Sequence, residues 1–315
     1  MDYKIKHLIS DEGNFYKANL SASSNLSDGR FSTKELCDLY EKNGYSILAL
    51  TDGEAKCQKE FSKDNFLLLS AFKFGSSMEK AEGVPRKSAY FTAISLSENP
   101  KEVTPFDAYY GSERVNEFLS EYKEKDYFLT YTAPVKSLEN LPDRLRYDPL
   151  DAIEIMNYSS LMEGYDEYCA TIYDDLLRHG KRLYALGSDA NRNKMPLLSE
   201  LSDSFGVFTM IKSKGLDYGS VADALRRGDF YCSEAPLIND IRIKGNTVHL
   251  KCTPCDKITM FMGRRGAKTF YASSSEELTS ATFTVDPRDV YVRFIVTDSE
   301  GRRAYTRAYY TDEIL

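Results

Sequence analysis

The segment "ANLSASSNLSDG" (residues 18–29) lies between two stretches of different periodicity. It overlaps "FYKANLSA" (15–22), which reads as a strand. It is followed by "STKELCDLYEKNG" (32–44), in which Ser32 stands at an N-cap position and Leu36, Leu39 and Tyr40 recur at helical spacing up to Gly44. "YSILALTD" (45–52) is a second apolar strand with a polar end, running on into "LALTDGEA" (48–55). Strand, polar loop, capped helix and strand make one βαβ unit.

The same unit recurs outward from this segment. "NFLLLSAFKF", "SAYFTAISL", "DYFLTYTAP", "DAIEIMNYSS", "RLYALGSDAN" and "SFGVFTMIK" read as strands; "SERVNEFLSEYKEK", "YDEYCATIYDDLLRHG" and "SVADALRRGD" read as helices. Repeated strand–helix units predict a parallel sheet, either open or closed into a barrel. Past "RRGDFYCSEAP" (226–236) the texture changes. "DIRIKGNTVHLKC", "KITMFMG", "TFTVD" and "DVYVRFIVTD" alternate apolar and polar residues, and "VTDSEGRRAY" is a hairpin signal. The division expected is an α/β domain over residues 1–236 and a small antiparallel β-sandwich over 237–315.

The chain has 315 residues, 42% hydrophobic and 28% charged, with a net charge of −7, the balance of a soluble globular protein. The acidic balance argues against broad nucleic-acid binding, which needs clustered lysine and arginine. No apolar run is long enough to span a membrane and no leader pattern opens the chain, so a cytoplasmic location is expected. Cys37, Cys57, Cys169, Cys232, Cys252 and Cys255 are then reduced thiols. The pair in "CTPC" (252–255) lacks the second pair of a zinc ribbon and the helix of a thioredoxin motif. Twenty-three tyrosines and no tryptophan suit half-buried strands and polar pockets.

In parallel α/β domains chemistry sits at the C-terminal strand ends. Those ends carry Ser21, Ser23, Asp28, Asp52, Lys73, Tyr90, Tyr131, Glu154, Asn157, Asp189 and Asn191, with Arg192 next in the loop. Such a convergence predicts a polar pocket.

On these residues the chain resembles the PHP (polymerase and histidinol phosphatase) family of metal-dependent phosphoesterases. That family reads Leu-His-x-His-Thr-x-x-Ser-Asp-Gly, then a helix, then a strand ending Thr-Asp-His. The resemblance continues through "IEIMN", "LYALGSDAN" and "ALRRGDFYCSEAP", nearly the whole chain. It implies a distorted (β/α)7 barrel. It also implies a site of two or three divalent metals (Zn, Mn or Fe), which activate water and neutralise phosphate charge.

The family's ligands transfer poorly. Its first two histidines fall on Ser21 and Ser23, the histidine of Thr-Asp-His on Gly53, and the bridging glutamate near Lys73. Later histidines fall near Tyr90, on Ala133 and on Asn191, while Asp28 and Asp189 are retained. His7, His179 and His249 lie outside every motif, and His179, before Gly180, reads as a helix C-terminal dipole partner. Two aspartates would hold at best a hydrated Mg²⁺ or Ca²⁺, and would be the catalytic residues if the protein were active. No metal cofactor is therefore expected. Lys73 is expected either to pair with Asp28, Glu154 or Asp189 or to face solvent alone. The function expected is that of an inactive relative binding a polar or phosphorylated small molecule through the residues above. The alternative is a hydrolase with a reduced metal site.

Overall fold

Helix α1 (Thr33–Lys42) begins as its sequence requires. Ser32 Oγ accepts the Glu35 N–H at 3.3 Å, and the Glu35 carboxylate accepts the Ser32 N–H at 2.8 Å. This capping box satisfies two backbone donors that a helix start leaves open. Gly44, at φ +77°, turns the chain into the next strand. The computed structural model describes residues 4–53, 59–78, 86–273 and 276–315. Glu54 and Ala55 of the second motif, Cys57 and Ser275 lie outside them.

The first three quarters of the chain hold strands β1 (Ile5–His7), β2 (Asn14–Ala22), β3 (Ile47–Leu50), β4 (Leu67–Ser77), β5 (Ser88–Ser95), β6 (Tyr127–Thr132), β7 (Ala152–Asn157), β8 (Tyr184–Ser188), β9 (Phe208–Ser213) and β10 (Phe230–Ser233). Between them lie helices α2 (Arg114–Glu124), α3 (Leu141–Leu145), α4 (Tyr158–Met162), α5 (Ala170–Arg178) and α6 (Tyr218–Arg227). The remainder is β11 (Ile238–Lys244), β12 (Thr247–Cys255), β13 (Lys257–Met262), β14 (Ala267–Tyr271), β15 (Leu278–Thr284), β16 (Tyr291–Thr297), β17 (Arg303–Thr306) and β18 (Tyr309–Tyr310), closed by α7 (Thr311–Ile314).

The protein is a mixed α/β structure with one large mixed sheet and one small antiparallel sheet. The large sheet runs β14-β13-β16-β17-β10-β9-β2-β3-β4-β5-β6-β7-β8, with β18 beside β16. Strands β2, β3 and β4 are parallel, as are β6, β7 and β8. The all-parallel expectation fails at β5, which is antiparallel to both neighbours, and at β9, antiparallel to β2 and β10. For β5 the reason is connection length. Only residues 78–87 separate it from β4, too few for a crossover, and strands so joined must reverse. Ala22 and Asn191 form a parallel bridge, so the C-terminal end of β2 meets the loop after β8.

The small sheet runs β1-β11-β12-β15. Its Ile241, Val248, Leu250 and Phe283 share one buried core with Ile258, Met260, Phe294 and Val296 of the large sheet. Two pairings cross residue 236: β1 lies on β11, and β17 on β10. A third link is ionic. Arg293 of β16, 2% exposed, donates Nε and Nη2 to the Asp174 carboxylate of α5 at 2.8 and 2.6 Å, and Tyr291 adds a hydroxyl at 3.0 Å. The Arg293 guanidinium also lies over the Phe261 ring. Breaking one side of such a pair strands a buried charge. Asp174→Ala is expected to lower unfolding free energy by about 3–5 kcal/mol in urea titrations. Arg293→Met together with Asp174→Leu should recover much of that loss.

Candidate functional site

The C-terminal ends of β2, β3, β4 and β7 surround a cavity of about 540 Å³. Of the residues expected there, Ser21, Ser23, Asp28, Lys73, Tyr90, Asn157 and Arg192 line it. Asp52, Glu154, Asp189 and Asn191 do not. They are buried behind the wall, and each is committed to partners within the protein.

Asp189 shows how. Its Oδ2 accepts the Tyr40 hydroxyl and the Phe205 N–H, both at 2.8 Å, and its Oδ1 accepts the Gly206 and Val207 N–H groups at 3.0 Å. The local chain is shaped for this. Phe205 adopts φ +69°, and a Cβ on Gly206 would stand 2.3 Å from the Tyr158 ring, so only glycine allows the approach. Burial raises the Asp189 pKa to about 6 against the pull of these donors. Glu154 is held likewise by the Ala133 N–H at 3.0 Å, the Asn157 amide at 2.7 Å and the Ser188 hydroxyl. Asp52 accepts the Ser24 N–H and hydroxyl at 2.9 and 2.6 Å, and the Ser27 hydroxyl. It thereby folds the loop of the opening motif. Asn191 accepts the Asn19 amide at 2.9 Å and donates to Asn193 at 2.6 Å.

Lys73 forms no ion pair with Asp28, Glu154 or Asp189, contrary to one of the two expectations for it. The reason is prior commitment of the carboxylates. Glu154 and Asp189 are held as above, and Asp28 takes Arg192 Nε at 2.7 Å. Among the described residues the Lys73 ammonium has no carboxylate partner. It lies half-buried in the cavity wall, 5.9 Å from the centre of the Tyr90 ring. Burial holds its pKa below the usual lysine range, opposed by Glu154 and Asp28 and reinforced by Arg192 and Lys136.

Arg192 also reaches Glu163 at 3.1 Å, and Glu163 pairs with Lys136 as well. Lys136 lines the cavity with Ser27, Ser88, Ser137, Ser159 and Ser160, none of which was singled out as a site residue. The only sequence signal for Lys136 was its place after "TAP". Tyr131, expected at the mouth, is instead buried. It donates to Ser137 at 2.9 Å and to Glu139, whose carboxylate also accepts the Tyr110 and Tyr147 hydroxyls. His179 caps α5 with a ring nitrogen 2.8 Å from the Asp175 carbonyl oxygen. Among the described residues no helix is long and apolar enough to cross a membrane.

No family model and no curated protein matches the chain. Among solved structures, it is similar to a two-domain protein from Bacteroides vulgatus described as containing a predicted PHP-like metal-dependent phosphoesterase. That match covers 98% of this chain and 99% of the other, with 14% identity and a TM-score of 0.48. A candidate metal-dependent phosphoesterase from Bifidobacterium adolescentis matches over 69% of this chain and 96% of its own, with 10% identity and a TM-score of 0.39.

Zn, Mn or Fe would need several imidazole, thiolate or carboxylate donors at one point. Among the described residues no three such side chains are grouped to hold a metal, and the cavity wall carries one carboxylate, Asp28, already held by Arg192. At Gly53, where the family has a histidine, a Cβ would meet nothing within 4 Å. The described residues do not fit a cluster of two or three such metals.

The raised Asp189 pKa has a signed consequence. A carboxyl that binds its proton more tightly when folded stabilises the fold below its unfolded pKa of about 4, and this contribution is lost as pH rises to about 6. Asp189→Asn should remove that pH dependence from unfolding titrations. It should also cost about 1–3 kcal/mol at neutral pH, because an amide nitrogen then faces two donors.

Proposed function

We propose that the chain is a PHP-like protein that has left metal-dependent phosphoester hydrolysis and binds a polar anion, a phosphorylated small molecule, in the cavity between Ser21 and Arg192. On this reading strands β2 to β10 of the large sheet belong to a distorted (β/α)7 barrel over residues 1–236, and 237–315 is an appended β-sandwich. Lys73 carries the proposal. Arg192 and Lys136 are balanced by Asp28 and Glu163, which among the described residues leaves the Lys73 ammonium as the cation in excess at the cavity wall. An anion entering the cavity supplies the partner that the protein's own carboxylates do not. The surrounding serine hydroxyls can donate to phosphate oxygens while accepting from one another.

The catalytic side of the family's chemistry finds no support in this wall. Ser21 is 3.4 Å from the Thr51 hydroxyl, with no histidine or free carboxylate beside it to act as base. The cavity's polar groups hold and orient an anion; among the described residues none is placed to activate water.

Calorimetric titration with inorganic phosphate and pyrophosphate tests this. Binding is expected without added metal, weakening as salt rises. Lys73→Met should reduce affinity by about tenfold or more, the value of one charge-assisted contact. Binding that requires Mn²⁺ or Zn²⁺, or turnover of a generic phosphoester that such a metal supports, would overturn the reading in favour of a hydrolase with a reduced metal site.

A further inference from the structure

The "CTPC" pair has no part in the cavity, yet the fold brings its sulfurs together. Cys252 and Cys255 end β12, where pairing with β15 breaks register between Lys251 and Cys255. In a regular strand residues three apart point to opposite faces. The break instead sets the two Sγ atoms 3.7 Å apart, the one thiol–thiol hydrogen bond among the described residues. A disulfide needs about 2.05 Å, so the sulfurs require a further approach but no change of neighbours.

Both cysteines are buried, and they differ in which one reaches a pocket wall. Cys255 lines a surface pocket of about 420 Å³ together with Asp256, Glu276 and Glu277, while Cys252 is not on that pocket's wall. The Cys255 thiol also donates to the Leu278 carbonyl at 3.2 Å, so it sits at the junction with β15. The contact with Cys252 favours the Cys255 thiolate and disfavours that of Cys252. The three carboxylates make the pocket anionic, which disfavours an anionic reagent and suits a cationic or neutral one.

We propose that Cys252 and Cys255 form a redox-active dithiol, with Cys255 as the attacking sulfur and a low-molecular-weight, cationic or neutral disulfide as oxidant. The Cys255 thiolate attacks one sulfur of the reagent, forming a mixed disulfide and expelling one thiolate. Cys252, on losing its proton, then attacks Cys255 Sγ and expels the second thiolate. One reagent disulfide is reduced to two thiols as the protein dithiol is oxidised, with two electrons transferred. The product ties the end of β12 across its own bulge.

Cystamine, a cationic disulfide, is the probe, added to the folded full-length chain. The reaction is quenched in acid, free thiols are alkylated, and peptides are mapped by mass spectrometry. The expected result is a Cys252–Cys255 link within one chain, independent of protein concentration and slowed several-fold by high salt. Cys252→Ser should stop at a mixed disulfide on Cys255, and Cys255→Ser should leave Cys252 unmodified. The proposal is overturned if wild type links the pair only after unfolding in urea, or if Cys252 in the Cys255→Ser chain captures the reagent as readily. The wild-type mapping decides the matter even where a serine variant fails to fold.

Discussion

A fully buried carboxylate, Asp189, is held by four hydrogen bonds and, among the described residues, by no ion pair. Asp189, fully buried, receives the Tyr40 hydroxyl from α1 and three consecutive backbone N–H groups from Phe205, Gly206 and Val207. Burying an ionised carboxyl without such donors costs several kcal/mol. The first βα unit, the end of β8 and the turn into β9 are thereby fastened to one another at a single residue. Glu154 does the same for β7, β8 and the turn at Ala133, and Asp52 for the loop Ser24–Ser27. A polar interior that would otherwise need cations is satisfied by hydroxyls, amides and backbone.

This arrangement explains what faces the cavity. With Asp52, Glu154 and Asp189 committed to donors behind it, the wall carries, among the described residues, serines, Asp28 and three cations, of which Arg192 and Lys136 are tethered by Asp28 and Glu163. Positive charge at the wall comes from these side chains. On the proposed function, the wall attracts an anion through these cations.

Much of the frame was legible in the sequence because its signals are local. Ser32 and Glu35 announce the capping box three residues apart, and Gly301, at φ +81°, marks the hairpin between β16 and β17. The retained Asp28 and Asp189 were found by motif spacing, though spacing could not tell that one faces the cavity and the other faces away. The illegible part is set by contacts distant in sequence. Asn19 bridges to Asn191 and to the Asp189 N–H, and the bond from Ser188 to Glu154 fixes a residue whose role looked like that of a free ligand. The reversal at β5 follows from a short connection, which the strand pattern alone does not weigh. Strand β1 escaped notice because three residues carry almost no periodicity.

The central claim, that the interior carboxylates are hydrogen-bond acceptors and not metal ligands, is tested most directly by anomalous diffraction from a crystal soaked in manganese. The account predicts that both Asp189 oxygens stay within hydrogen-bond distance of Tyr40 and the Phe205–Val207 backbone, with no anomalous peak between Asp28 and Asp189. A peak there, with the Asp189 carboxylate turned toward it and released from those donors, would contradict it.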